Sequence, residues 1–392
     1  MINRSHRFSG RAGALCTVLG LAVGLTACGN NTTSVGSTTS STSSTSSTNS
    51  TGTGSTADLT TSEGTGSGSA ASKGSGQDAA TSAPTSATGK TYRVVFVAAL
   101  LNDSFFVTVR CGAQAQAKTM GMDFKFVGPT TNDVASEIKA FNAVAATKPD
   151  AMVIAPFSNT GFGPSVRGLM KNGVPVVASG QALEPADALT TVITNYLKSA
   201  EQLRPLIGQL TGGSGTIGII ANNTGNKTDS DRYTDLVPEL KKAYPNLKIL
   251  DPQYAQNSTA TAATVAAALI QGNPDLKVLY ATSGPEAVGV ASAIKAAGVG
   301  DKIKLVSFDS SPQQIELLKS NQLAATVGQS PYNGGALSVK AVGDYLQQHG
   351  SRSGPVPASA SLTDLPTMLL TPANVNTPEA QKFAYLTTCE GD

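Results

Sequence analysis

The run Lys148-Pro149-Asp150-Ala151-Met152-Val153-Ile154-Ala155-Pro156, followed downstream by Gly173-Val174-Pro175-Val176-Val177, decides the fold class. The apolar stretch 151–155, bounded by Asp150 and Pro156, reads as a short strand buried on both faces. Similar β-branched apolar runs recur at 92–98, 174–178, 216–220, 278–281 and 303–308. Between them lie segments with apolar residues at helical spacing, at 105–120, 134–146, 236–243, 261–270 and 286–297. Gly121 and Gly298 stand where a left-handed residue closes a helix. Strand, helix and strand in repeated order predict an α/β fold, with parallel sheets covered by helices on both faces. Ligands of such sheets sit outside the carboxyl ends of the strands, so the residues following each strand are the candidates for binding.

Upstream of residue 90 the composition changes twice. Arg4, Arg7 and Arg11 precede an apolar, charge-free run at 12–25, the pattern of an export signal. That run is shorter than the roughly 20 apolar residues a spanning helix needs, and it ends in small residues, so cleavage is expected. Leu25-Thr26-Ala27-Cys28 resembles the bacterial lipobox, whose cysteine is acylated and becomes the first mature residue. An ordinary secretory signal with a chance cysteine is the alternative. The reading assigns residues 1–27 to a lipoprotein signal peptide and places a lipid on Cys28, anchoring the chain to the membrane on its extracytoplasmic side. Residues 28–89, rich in Ser, Thr and Gly, cannot bury enough apolar surface to offset their ordering entropy. They are expected to form a disordered tether with a reach of about 40 Å.

Residues 90–392 are numerous enough for two lobes, each with its own core. The balance of 28 basic against 26 acidic residues, without a Lys/Arg cluster, argues against a nucleic-acid partner. Of the four cysteines, Cys16 leaves with the signal and Cys28 takes the lipid, so Cys111 and Cys389 remain. An even remainder in an oxidising compartment predicts a disulfide between them; two unconnected small apolar residues are the alternative. Gly213-Ser214-Gly215-Thr216-Ile217-Gly218 has the spacing of a dinucleotide loop but precedes a strand, and so reads as a helix-to-strand turn. His349, the one histidine after the signal, sits at a polar helix end beside Gly350. A histidine triad or multi-histidine metal site is thus excluded, and no cofactor, metal or enzyme activity is expected.

At the strand ends the sequence resembles the type I periplasmic binding protein family, in the sugar-binding branch that shares its fold with the ligand domains of LacI-type repressors. The residues that carry the resemblance are Asn102-Asp103-Ser104-Phe105-Phe106, the two runs quoted first, Val306-Ser307-Phe308-Asp309, and Ala325-Thr326-Val327-Gly328-Gln329-Ser330-Pro331-Tyr332. It implies two Rossmann-like lobes with parallel sheets, joined by a three-crossing hinge and closing on a ligand. Lobe 1 would take about residues 91–195 and 331–355, and lobe 2 about 196–330 and 356–392.

The resemblance also implies a ligand set. Asn102 belongs to the polar turn after the first strand. Phe105 and Phe106 follow it, and one ring can flank a sugar face, whose C–H groups are apolar while its hydroxyls radiate outward; two core residues of the first helix are the competing reading. Asp309 can accept hydrogen bonds from neighbouring hydroxyls, or it can cap a helix, a role open also to Ser310 and Ser311. Gln329 offers both a donor and an acceptor. Where sugar binders of the family commonly carry Asp-Arg, this chain has Gly180-Gln181, and Ser283 and Asn257 replace a frequent Asn and a frequent aromatic residue. These departures imply a roomier, less charged cleft and keep a non-sugar solute as an alternative. Asp231 and Arg232 are placed at the start of the helix leading to Leu236, as ligand contacts or as a solvated ion pair. The function implied is a solute-binding lipoprotein that delivers a small polar ligand, a sugar foremost, to the membrane permease of an ABC importer. A ligand-sensing lipoprotein serving a chemoreceptor or sensor kinase is the alternative.

Overall fold

The structure, a computed structural model, describes residues 90–131, 133–223 and 225–389; the expected signal peptide, lipid site at Cys28 and tether fall outside the described residues. Lobe 1 begins with β1 (Arg93–Ala98), α1 (Ser104–Thr119), β2 (Asp123–Val127), α2 (Val134–Ala146) and β3 (Ala151–Ala155). It continues through α3 (Gly163–Lys171), β4 (Val176–Ser179) and β5 (Thr191–Thr194). The chain then enters lobe 2 with α4 (Tyr196–Thr211), β6 (Ser214–Ala221), α5 (Lys227–Thr234), α6 (Leu236–Ala243), β7 (Asn246–Ile249) and β8 (Gln253–Tyr254). There follow α7 (Thr259–Gly272), β9 (Leu276–Ala281), α8 (Gly284–Ala297), β10 (Lys304–Phe308), α9 (Pro312–Lys319) and β11 (Ala325–Gly328). α10 (Pro331–His349) and β12 (Leu362–Leu365) return to lobe 1, while β13 (Met368–Leu370) and α11 (Pro378–Gln381) belong to lobe 2.

The lobe 1 sheet runs β12-β5-β4-β3-β1-β2 and every pairing in it is parallel. In lobe 2 the order is β13-β11-β10-β9-β6-β7, with β8 on β6 and β13 antiparallel to β11. Both faces of each sheet are covered. Along β1, Val94, Phe96 and Ala98 enter one apolar cluster while Val97 enters the other, the two-residue alternation of a strand with a core on each side. Short polar side chains start the helices: Asp103, Asp133, Asn195, Asn226, Ser258 and Thr377 each accept a hydrogen bond from a first-turn amide. Gly298 closes α8 at φ 65°, where a side chain would be strained.

Three expectations need correction. The third crossing falls between Leu365 and Met368 rather than near residue 355, because β12 pairs in parallel with β5 and Leu365 enters the lobe 1 core. Residues 356–365 therefore go with lobe 1. The chain also crosses once more: after Tyr385, whose amide bonds to Ser310 O of lobe 2, Leu386 N donates to Thr108 Oγ1 of α1 in lobe 1. In addition, Asp231 and Arg232 lie well inside α5, which ends before α6 starts at Leu236.

In lobe 1, α1 packs closely along α10. Two glycines permit it: a Cβ on Gly112 would lie 1.8 Å from Tyr332 O, and one on Gly335 would lie 2.0 Å from Val109 O. Backbone oxygens cannot rotate away as a flexible side chain would. Gly112→Ala and Gly335→Ala should each destabilise the fold by about 1–3 kcal/mol, through forced separation of the two helices. Urea unfolding of each variant measures this, and an unchanged midpoint would contradict the contact.

Candidate functional site

A cleft opens between the lobes where the strands of both sheets end. From lobe 1 it receives Pro156 and Phe157 after β3, Gly180 and Gln181 after β4, and Phe105 and Phe106 from the first turn of α1. Lobe 2 contributes Asn222 after β6, Ser283 after β9, Asp309 after β10 and Gln329 after β11. This placement follows from the fold: the central strands β1, β3, β4, β9, β10 and β11 are buried on both faces, so their sheets present polar side chains to the cleft beyond the strand ends.

Asp309 organises the lobe 2 wall. One carboxylate oxygen accepts from Arg232 Nη1 at 2.9 Å; the other accepts from Gln329 Nε2 at 2.6 Å and from the Tyr385 hydroxyl at 2.8 Å. Its backbone holds φ 78°, a conformation costing a non-glycine residue about 1–3 kcal/mol. The α9 cap is supplied instead by Ser311, in a reciprocal box with Gln314, so the Asp309 side chain is left to the cleft. Arg232 also donates to Thr282 O at 2.6 Å and lies over the Phe308 ring, 4.5 Å from its centroid. Burial alone would lower its pKa, but the carboxylates of Asp309 and Asp229 reverse the direction and hold the guanidinium charged. Arg232 Nε and Gln181 Nε2 have no hydrogen-bond partner among the described residues.

The aromatic wall is formed by Phe105 and Phe106, edge to face at 5.2 Å, both half-buried against the lobe 1 core. The two sequence readings of these rings are therefore compatible, since each ring backs onto the core and fronts the cleft. Gln181 Oε1 accepts from Thr228 Oγ1 at 2.7 Å and so links lobe 1 to lobe 2 across the cleft. Ser283 and Asn257 are held by one buried carboxyl: Glu286 accepts from Ser283 Oγ and from Asn257 N. Burial raises the Glu286 pKa, against these lowering hydrogen bonds.

Of the residues singled out in the sequence, the cleft gathers Phe105, Phe106, Gln181, Arg232, Asn257, Ser283, Asp309 and Gln329. It does not gather Asn102 or Asp231. Asn102 is exposed, and its neighbour Asp103 lines the cleft while capping α1 through Phe105 N at 2.8 Å. Asp231 points outward to Lys227, 2.7 Å away, on the helix face opposite the cleft-lining Asp229. Asp229 accepts from Thr282 Oγ1 at 2.6 Å and Asn222 N at 2.9 Å, and burial raises its pKa. Helical spacing could have found it, since positions three apart share a face and Asp229 stands three before Arg232. Asp103 carried the signal of an Asp just ahead of a helix. Tyr385 had no local signal; only tertiary packing brings it to Asp309.

Cys111 on α1 and Cys389 are joined by a disulfide, across a sequence separation of 278. Among the described residues no group of His, Cys, Asp or Glu could hold a metal ion, and no helix is long and apolar enough to cross a membrane.

Two α/β lobes, joined by chain crossings and facing each other over a cleft with one aromatic wall and one polar wall, define a two-lobed binding protein. The chain belongs to the periplasmic binding protein domain family, whose model matches residues 94–350. It is 26% identical over 254 residues to the D-allose-binding periplasmic protein of Escherichia coli, covering 62% of this chain and 81% of that one. Similarity to the ribose import binding protein RbsB of Bacillus subtilis is 26% over 263 residues, 67% of this chain and 84% of the relative. Among solved structures, an ABC transporter solute-binding protein from Agrobacterium vitis with bound D-fucose superposes with a TM-score of 0.67 at 24% identity. The match covers 75% of this chain and 100% of that one.

Behind the cleft wall, Glu137 of α2 is fully buried and accepts from Phe157 N at 3.0 Å, while its other oxygen has no partner among the described residues. Burial pushes its carboxyl up to about 8 from the ordinary 4.5, with the Phe157 amide opposing. The native state thus holds this proton more tightly than the unfolded chain. The resulting stabilisation is complete below pH 4.5 and is lost as pH rises through about 8. Against Glu137→Gln, the parent protein should lose on the order of 3 kcal/mol over that window. Chemical denaturation of both proteins at pH 5 and pH 8 tests this, and parallel pH profiles would refute it.

Proposed function

We propose that the protein is an extracytoplasmic solute-binding protein that captures a sugar between its lobes and delivers it to the permease of an ABC importer. The observation that carries the reading is the pairing of two complementary walls, Phe105 and Phe106 on one lobe and the Arg232–Asp309–Gln329 cluster on the other. A sugar is an amphipathic disc: its C–H face suits an aromatic ring, while its edge offers hydroxyls that both donate and accept. Asp309 can accept from such hydroxyls with charge assistance. The partnerless donors Arg232 Nε and Gln181 Nε2 each cost about 1–3 kcal/mol where they are buried, and ligand oxygens are acceptors that can relieve that cost. The names of the relatives, an allose binder and a ribose import protein, support the same class of solute.

In this reading the open form admits ligand, the ligand binds the closed form more tightly, and closure follows as a population shift. The permease then recognises the closed pair of lobes. A lipid on Cys28 holds the domain at the membrane, and residues 28–89 give it reach. This part of the reading rests on Leu25-Thr26-Ala27-Cys28 and on the apolar run before it.

A thermal-shift panel of D-ribose, D-allose and other pentoses and hexoses is the direct test. A ligand at 100 times its Kd adds about 2.7 kcal/mol of stability. One sugar class should raise the melting temperature, and Asp309→Ala should abolish that rise. A shift with only a non-sugar solute would keep the class of protein and overturn the sugar. For the anchor, Cys28→Ser should move the exported protein from the membrane fraction to the soluble fraction. Continued sedimentation of the variant with membranes would reject acylation at Cys28.

A further inference from the structure

The segment after α11 belongs to both lobes. Val375 and Ala380 are buried in the lobe 2 core, Phe383 and Ala384 pack against it, and Tyr385 N donates to Ser310 O at 3.0 Å. The Tyr385 side chain, 6% exposed, lies in the cleft: its hydroxyl donates to Asp309 and accepts from Gln329 Nε2 at 3.2 Å. Its ring meets Phe105 of lobe 1 edge to face at 5.6 Å. The next residue changes lobe, with Leu386 N on Thr108 Oγ1 at 2.7 Å, and the disulfide from Cys389 to Cys111 fixes the segment to α1.

We propose that residues 385–389 form a covalent strap across the cleft, limiting how far the lobes open and making Tyr385 the part of the site that senses opening. The proposal rests on reading the cleft as the ligand site and adds a restraint to it. The lobe crossings at 195, 330 and 366 are main-chain hinges. The strap differs because it joins the ligand-facing end of β10 to the helix that bears the aromatic wall. From Tyr385 to Cys389 the chain extends at most about 14 Å. Any movement that carries α1 farther from Ser310 than this slack allows must pull Tyr385 away from Asp309 and Gln329. Opening therefore has a built-in cost, namely the hydrogen bond that Tyr385 donates to Asp309 and the one it accepts from Gln329, together with a ring contact to Phe105. A ligand-free protein restrained in this way spends more time near the closed geometry, which raises apparent affinity, because apparent Kd varies inversely with the fraction of molecules competent to bind.

The test needs no ligand, so it stands or falls independently of the sugar reading. Three glycines are inserted between Thr387 and Thr388 of the full chain, leaving both cysteines in place and adding about 10 Å of reach. Backbone hydrogen exchange of the oxidised, ligand-free parent and insertion proteins is followed by mass spectrometry. Peptides containing Gln181 and Thr228, which touch across the cleft away from the strap, should exchange about tenfold faster in the insertion protein, while interior strands such as β3 and β9 keep their protection. Faster exchange confined to the strap and the adjoining turns of α1 would overturn the proposal, because it would show local fraying without opening. Cys389→Ser provides a second arm: it should accelerate the same cross-cleft peptides, and unchanged exchange there with intact interior strands would count equally against the strap.

Discussion

The carboxylate of Asp309 is the point on which the two lobes and the cleft depend. Four separated stretches of chain converge on it: α5 through Arg232, β10 through its own backbone, the end of β11 through Gln329, and the segment after α11 through Tyr385. A carboxylate accepts several hydrogen bonds at once, and in partly desolvated surroundings each charge-assisted bond is stronger than a neutral one. That capacity lets one side chain tie together groups that share no secondary structure. It also accounts for a non-glycine residue at φ 78°, since the surrounding bonds outweigh the local cost.

Around this point the cleft is less acidic than its composition suggests. Asp103, Asp229 and Glu286 all lie at or beside it, but each is already committed to the protein: Asp103 to the start of α1, Asp229 to Thr282 and Asn222, Glu286 to Ser283 and Asn257. Burial raises the pKa of all three. They shape the wall and hold neighbouring cleft-lining groups in place, while Asp309, Arg232, Gln329 and Gln181 supply the other polar groups of the cleft. The result is a site with one dominant ion pair, flanked by amides and aromatic rings, which suits a neutral solute rich in hydroxyls better than a charged one.

The two lobes respond to each other through few elements. Gln181 bonds to Thr228 across the cleft, Thr194 donates to Gln329 at the hinge, and Phe105 meets Tyr385. Thr194 and Gln329 sit at the ends of strands from which the chain leaves for the other lobe, so a lobe crossing and the cleft wall share a residue. Gln329 thereby joins the lobe 1 residue Thr194 to the Asp309 cluster of lobe 2. The close α1 and α10 packing, permitted by Gly112 and Gly335, fixes the helix that bears the aromatic wall to lobe 1.

By itself the sequence determined the alternation of buried strands and amphipathic helices, because apolar runs such as 92–98 and 151–155 have few other stable environments. It also placed Asp309, Gln329 and Gln181 at strand ends, where a parallel sheet presents its polar groups. Position within a turn was less legible: Asn102 and Asp231 are each close in sequence to the residues that do face the cleft, Asp103 and Asp229, and rotation about a turn or helix separates them. Only the tertiary structure decided the third crossing, the strand Leu362–Leu365 and the role of Tyr385. Three of the four residues in that strand are exposed, so it carries no apolar run to read; its backbone pairing with β5 makes it a strand. Tyr385 lies 76 residues from Asp309, and nothing in its local pattern names that partner. Periodicity records whether a segment will be buried, while the meeting of distant segments is settled by how their buried faces pack.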